Sequence, residues 1–275
     1  HKGAPPRTPT AGDGYDPAVN DTPLRLITAG FAADPSLDIA LSRALLLRAS
    51  DGEIPEVFRL NQPGRVVAFG KRDTIALGYP AAVAAAREAG FEAVERLAGG
   101  RAAVFHEGTL AFSWTIPDDD PRRGIHERFR TLAELLVVAL ADLRISAEVG
   151  EIPGEYCPGE YSINIGGAIK VMGVGQRLAR NAAHLGGVIV VSHGSLVRNV
   201  LEPVYRELGV PWQPSTAGAL QDASPTITSQ QVVAAVAARL AASRPVAPSP
   251  FEPETLALGR RLAPEHIAPS GAGAG

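Results

Sequence analysis

Two adjacent glycines, Gly166 and Gly167, constrain this chain more than any other feature, because they split an apolar stretch into two strands of opposite direction. Ser162 to Ile165 on one side and Ile169 to Leu178 on the other read as β, and a Gly-Gly pair between such runs supplies the positive φ of a two-residue hairpin turn. The hairpin folds the preceding segment back towards the returning strand. That preceding segment carries the only cysteine, Cys157, set between Pro153-Gly154 and Pro158-Gly159. The returning strand carries Lys170 in the otherwise apolar run Ala168-Ile169-Lys170-Val171-Met172. The expectation is a thiol and an amine in one cleft.

Cys157 is flanked by Tyr, Pro, Gly and Glu, whereas a structural thiol normally sits inside a hydrophobic segment. A thiolate is the competent nucleophile, and a neighbouring ammonium favours it. Read locally, two alternatives stand for each residue. Cys157 is either inert or a nucleophile, and Lys170 either faces solvent on the outer side of its strand or is held in a site.

Around the hairpin, Leu24 to Ile27 reads as a short strand and Ser36 to Ala49 as a helix started by Pro35 and Ser36, with Leu37, Ala40, Leu41, Ala44 and Leu45 at helical spacing. Glu56 to Leu60 and Arg65 to Phe69 are β-rich runs joined by the turn Asn61-Gln62-Pro63-Gly64, and Pro80 to Ala89 is an Ala-rich helix ended by Gly90. Glu92 to Pro117 alternates strands with glycine. Its Gly99-Gly100 pair, bracketed by Arg96 and Arg101, is an ordinary turn or a close backbone approach to a ligand. Asp118 to Pro121 is an acidic loop, and Ile125 to Leu143 is the longest helix. Ala183 to Val191 reads as a buried strand and Ser195 to Leu208 as a helix with Ser195 as N-cap and Gly209 as its stop. Ser229 to Ser243 and Glu254 to Leu262 are further helices. The fold class is therefore α+β, a mixed and largely antiparallel sheet covered by helices. Three regions are expected: a disordered arm over residues 1–22, a catalytic domain over 23–244, and a Pro-rich linker, short helix and flexible tail over 245–275.

Several classes are disfavoured. One cysteine cannot bridge internally, which fits a reducing cytoplasm. A net charge of -3 and a pI near 6.1 give no basic stripe for nucleic acid. No apolar run reaches the ~18 residues of a membrane span. His106, His184 and His193 lack a second ligand at metal spacing, so no metal site is expected. Neither a G-x-S-x-G elbow nor a phosphate-binding G-x-x-x-x-G-K-[ST] loop occurs.

Two blocks carry a family resemblance. Arg96 to Ser113 (RLAGGRAAVFHEGTLAFS) is similar to the R-x-x-G-G-x-A-V-x-x-[DE]-x-x-L-x-x-S block of the lipoate and biotin attachment family, and Glu155 to Leu178 resembles that family's segment ending in K-x-x-G-x-[AG]-Q-R. The similarity spans roughly residues 24 to 210 and implies a biotin/lipoate ligase catalytic-domain-like fold. Cys157-Pro158-Gly159 matches the branch whose cysteine carries the acyl group as a thioester. The resemblance implies Cys157 as nucleophile, and Lys170 as its acid/base partner and carbonyl donor. Gly99, Gly100 and Arg101 would form the acyl-site loop, with Arg96, Ala102 and His106 in the same block and Gly173, Gly175 and Gln176 lining the other wall. His106-Glu107 stands where many members have His-Asp, and Asn181 to His184 lengthens the segment before Gly186.

The expected activity is transfer of an octanoyl or lipoyl group through a Cys157 thioester to a lysine of a lipoyl domain, with no cofactor. The resemblance implies an acyl carrier protein or the glycine cleavage H protein as donor, and lipoyl domains of 2-oxoacid dehydrogenases as acceptors. Ala102 to Phe105 and Val188 to Val191 are expected to line an apolar tunnel for the chain. One alternative is an ATP- and Mg-dependent lipoate-protein ligase forming lipoyl-AMP, in which Cys157 is incidental. Another is a binding module for lipoyl or biotinyl domains.

Overall fold

The structure, a computed structural model, describes residues 22–269. The expected arm over residues 1–22, except Thr22, and the tail beyond Pro269 lie outside the described residues. In chain order the elements are β1 (Leu24–Ile27), α1 (Pro35–Ser50), β2 (Val57–Asn61), β3 (Val66–Phe69), the single turn α2 (Lys71–Thr74), α3 (Tyr79–Glu88), β4 (Glu92–Glu95), β5 (Ala103–Phe105), β6 (Thr109–Pro117), α4 (Ile125–Asp142), β7 (Glu148–Val149), β8 (Ile163–Ile165), β9 (Ile169–Leu178), β10 (Ala182–Val190), α5 (Gly194–Glu207), α6 (Ser229–Ser243), β11 (Val246–Pro248) and α7 (Pro253–Leu262). Eight strands form one sheet in the order β11-β1-β2-β6-β10-β9-β8-β7, and β4-β3-β5 form a second. In the large sheet only β11–β1 and β1–β2 pair in parallel; the remaining pairs are antiparallel, as expected.

Alternation along β2, β6, β9 and β10 sorts side chains between two faces. Phe58, Leu60, Leu110, Phe112, Leu185 and Ile189 meet Leu132, Leu136 and Leu140 of α4 and Val232, Val236 and Leu240 of α6 in the main core. The opposite face carries Arg59, Asn61, Ser113 and His184 with Gly175 and Gly186, and α1 packs there against β6 and β10. This polar and glycine-rich face is the one the site uses.

The central hairpin forms as its glycines dictate, with φ of +61° at Gly166 and +65° at Gly167. Ala168 is a third loop residue, because Ile165 pairs with Ile169 and a bulge at Ile163/Asn164 resets the register. Elsewhere the sequence reading needs correction. The runs flanking Asn61-Gln62-Pro63-Gly64 are not partners: β2 belongs to the large sheet and β3 to the small one. Gly64 is required at this crossing, since a Cβ there would stand 2.0 Å from the Ala32 carbonyl oxygen. Asp34, not the Pro35-Ser36 pair, caps α1 by accepting from Leu37 N at 3.0 Å. His193 rather than Ser195 caps α5, turning the chain at φ +56°. The stretch read as a Pro-rich linker runs as β11 on the edge of the large sheet, and α7 packs on α1.

Candidate active site

Cys157 sits at φ +43°, a left-handed conformation that costs a non-glycine residue free energy and persists only where its surroundings hold it. Its amide donates to Tyr205 Oη at 3.0 Å, and its carbonyl oxygen accepts from Lys170 Nζ at 2.7 Å. The Tyr205 hydroxyl in turn donates to the Ala102 carbonyl at 3.0 Å, so one phenol ties the Cys157 loop to the start of β5. The sulfur then faces two donors of the Arg96–Arg101 loop, Arg101 N at 3.1 Å and Arg96 Nη2 at 3.4 Å. Gly100 permits the approach. Its φ is +102°, and a Cβ there would stand 2.2 Å from Arg96 Nη2 and 2.8 Å from the sulfur.

Burial pushes the Cys157 thiol up, but the Arg96 and Lys170 charges, the Arg101 amide and the Arg96 hydrogen bond outweigh it, leaving the thiol below its ordinary value. The sulfur is thus disposed to ionise. Lys170 acts on it from a distance. Its ammonium is fully buried, and it donates to Glu155 Oε1 at 2.8 Å, Tyr156 O at 2.9 Å and Cys157 O. All three protons are engaged, so the amine expected as an acid/base partner also ties the loop's backbone down. Glu155 completes that anchor by accepting also from Ile152 N, Gly159 N and Ser162 Oγ.

The second loop is braced from outside. Arg101 Nη1 reaches Asp73 Oδ1 at 3.2 Å, and Asp73 Oδ2 accepts from Gly70 N at 2.9 Å. Burial raises the Asp73 carboxyl, against those hydrogen bonds. Gly173 lies against Lys170, its would-be Cβ 3.3 Å from Cε, and Gly175 supports the loop, its would-be Cβ 2.9 Å from Gly99 O.

Two expected residues stand apart. Gln176 is spent on α4, accepting from Arg128 Nε at 2.9 Å and donating to Ile125 O at 3.1 Å. His106 lies past the far end of β5 from Ala102, about four residues or roughly 13 Å along a strand. It accepts from Gly108 N, packs on His193, and burial drops its pKa to about 4.

Arg96 also lines a cavity of about 70 Å³, with Leu97 and Ala98 beside it and the polar sheet face, Arg59, Asn61, Ser113, His184 and Gly186, on the other side. Phe105 and Ile39 supply apolar wall, whereas Val188 to Val191, expected in such a wall, do not line it. Among the described residues no helix is long and apolar enough to cross a membrane, and no group of three or more metal-ligating side chains occurs.

Comparison with known proteins decides the family. Residues 34–241 match the lipoyl protein ligase A/B catalytic domain. The chain belongs to this family. A curated relative, the octanoyl-[GcvH]:protein N-octanoyltransferase of Geobacillus kaustophilus, is 29% identical over 194 residues, covering 70% of this chain and 68% of the relative. The lipoyl-[GcvH]:protein N-lipoyltransferase of Listeria monocytogenes is 30% identical over 113 residues, 41% of this chain and 40% of its own. A lipoate-protein ligase A solved with ATP superimposes with a TM-score of 0.71 at 19% identity, covering 89% of this chain and 95% of that one, a likeness of fold.

Within this lipoyl ligase A/B domain, Glu155, Tyr205 and Asp73 brace the two loops although sequence reasoning passed over them. Glu155, two residues before Cys157, is the one with a visible signal, a carboxylate beside the predicted hairpin that also holds a lysine. Tyr205 lies 48 residues from Cys157 and 103 from Ala102, on a helix that reads as plain core.

Proposed function

We propose that this chain is a cysteine-dependent acyltransferase of protein lipoylation, moving an octanoyl or lipoyl group from one lipoyl-carrier protein to a lysine of another. The observation that carries this is the Cys157 sulfur at the meeting point of Arg96 Nη2 and Arg101 N, with its thiol pKa lowered. The curated relatives' names support it, since they describe octanoyl or lipoyl transfer from GcvH to protein.

The thiolate adds to the carbonyl carbon of the donor's acyl amide. The tetrahedral oxyanion then collapses, breaking the C–N bond and releasing the donor lysine amine, which takes up a proton. The neutral amine of the acceptor lysine adds to the thioester, loses its proton, and expels the Cys157 thiolate unchanged. Bonds made and broken balance, so the transfer needs no ATP; covalent catalysis splits it into two easier displacements. The Arg96 guanidinium and the Arg101 N–H adjoin the carbonyl oxygen as charge develops, a role whose loss costs on the order of 10² to 10³ in kcat. GcvH is the proposed donor and lipoyl domains of 2-oxoacid dehydrogenases the proposed acceptors.

Intact mass after mixing with octanoyl-GcvH, without ATP, tests this. One octanoyl adduct, removable by hydroxylamine and lacking in Cys157→Ser, is expected. No adduct, with acyl-adenylate appearing once ATP and lipoate are added, transfers the chain to the ligase reading.

A further inference from the structure

The cavity beside Arg96 has an unusual composition for a slot that takes a hydrocarbon chain. Four buried side-chain atoms among the described residues have no hydrogen-bond partner, and two of them, Arg96 Nε and Ser113 Oγ, belong to residues lining this one cavity. Leaving a buried polar atom unpaired costs ~1–3 kcal/mol, so two in one cavity point to a ligand that pairs them. Arg96 touches the Cys157 sulfur with its other end. Ser113 lines the same cavity from the sheet.

The sheet register shows how the two are joined. Gly175, Gly186, Ser113 and Arg59 are successive cross-strand partners on β9, β10, β6 and β2, so they share one rung and one face. Gly186 leaves its place on the rung bare within the cavity, whereas Gly175 is covered by Ala98 and Gly99 of the loop, and the first side chain beyond Gly186 is Ser113. From Gly186 on β10 to Ser113 on β6 the cavity floor crosses one strand spacing, roughly 5 Å. Ser113, 4% exposed, has Arg59 beside it on the rung. The Arg59 guanidinium is itself paired with Asp38, and Asp38 Oδ2 accepts from Asn61. Those groups satisfy each other, so the serine hydroxyl is the group left for a ligand.

We infer that Ser113 is a specificity-determining residue that selects acyl chains carrying a hydrogen-bonding or polarisable group at their distal end, so that a lipoyl group is preferred to octanoyl. The inference rests on the acyltransferase reading and deepens it. A dithiolane sulfur accepts, weakly, from the Ser113 hydroxyl, whereas a terminal methyl leaves that hydroxyl unpaired. One net hydrogen bond corresponds to about two- to tenfold in kcat/KM.

The test compares lipoyl-GcvH and octanoyl-GcvH as donors for the full chain and for Ser113→Ala, reading kcat/KM for each and the mass of the Cys157 adduct. The expected result is a two- to tenfold preference for lipoyl that collapses towards one in Ser113→Ala and persists in Ser113→Thr, which retains the hydroxyl. Equal use of both donors, a preference for octanoyl, or an unchanged ratio in Ser113→Ala overturns the inference while leaving acyl transfer in place. No Cys157 adduct from either donor overturns the acyltransferase reading and this proposal with it. Because each variant serves as its own reference for the two donors, a general loss of stability cannot imitate the change in ratio.

Discussion

Replacing Lys170 with methionine removes an ammonium of similar length from a site where it is 0% exposed and pairs with a Glu155 carboxylate that is 3% exposed. The Glu155 carboxylate would keep Ile152 N, Gly159 N and Ser162 Oγ but lose its compensating charge, and the carbonyls of Tyr156 and Cys157 would lose a donor. Breaking a buried pair from one side costs ~3–5 kcal/mol. At ~2–4 °C per kcal/mol for a chain approaching this size, the Tm should fall by roughly 6–20 °C. The origin of the loss is checked by adding Glu155→Gln. If the uncompensated carboxylate is the cause, Lys170→Met/Glu155→Gln regains about half of the lost stability. Thiol reactivity separates from stability in this pair. The charge that helps lower the Cys157 pKa is missing from both variants, so alkylation by iodoacetamide near pH 7 slows in both. Differential scanning calorimetry and alkylation followed by mass supply the two readouts. A single mutant losing under about 1 kcal/mol, or a double mutant no more stable than the single, would refute the anchoring role.

Gly100→Ala forces a Cβ into the Arg96–sulfur contact at a positive φ; we expect a cooperative fold but Cys157 acylation slower by at least about 10², and an unimpaired rate counts against the loop geometry. Tyr205→Phe cuts two buried hydrogen bonds and should lower stability by ~1–3 kcal/mol in urea titration, with acylation slowed as well because the thiol loop loses its tie to β5. Arg96→Gln should move the pH profile of alkylation upward, since the charge opposing burial at Cys157 is gone; an unmoved profile would show that Arg96 does not set the thiolate. Burial lowers His106 to about 4 and His184 to about 3. The unfolded chain protonates both first, so stability intact above ~6.5 falls with pH at ~1.4 kcal/mol per unit for each histidine, reaching about 4 kcal/mol by pH 5. A urea midpoint equal at pH 7 and pH 5 would contradict this.

Much of this arrangement can be read from local pattern. The Gly166-Gly167 hairpin and the helices at Ile125 and Ser229 follow from glycine placement and 3.6-residue periodicity, whereas the Gly99-Gly100 loop entered the site only through the family resemblance of two spaced blocks. What escaped is non-local. Nothing near Asn61-Gln62-Pro63-Gly64 reveals that its flanking strands enter different sheets, because that depends on β6 taking the place beside β2. Lys170 was expected at the thiol, yet it meets the carbonyls of the same loop, since Glu155 and the left-handed turn at Cys157 swing the backbone rather than the sulfur towards it. Gln176 belongs to the motif but packs towards α4, a contact set by Arg128 nearly fifty residues away.

The sulfur also has a use as a reporter. Arg96 and Arg101 lie 61 and 56 residues from Cys157 along the chain, so the groups that favour its anion assemble only when the two loops meet. With a single cysteine in 275 residues, every alkylation event comes from that one junction. Below the pH at which an ordinary thiol ionises, the alkylation rate is therefore a label-free clock for assembly of the site, running fast in molecules whose loops are docked and slow in those whose loops have parted. Followed during refolding, it would time the arrival of the Arg96–Arg101 loop at the hairpin separately from formation of the sheet itself.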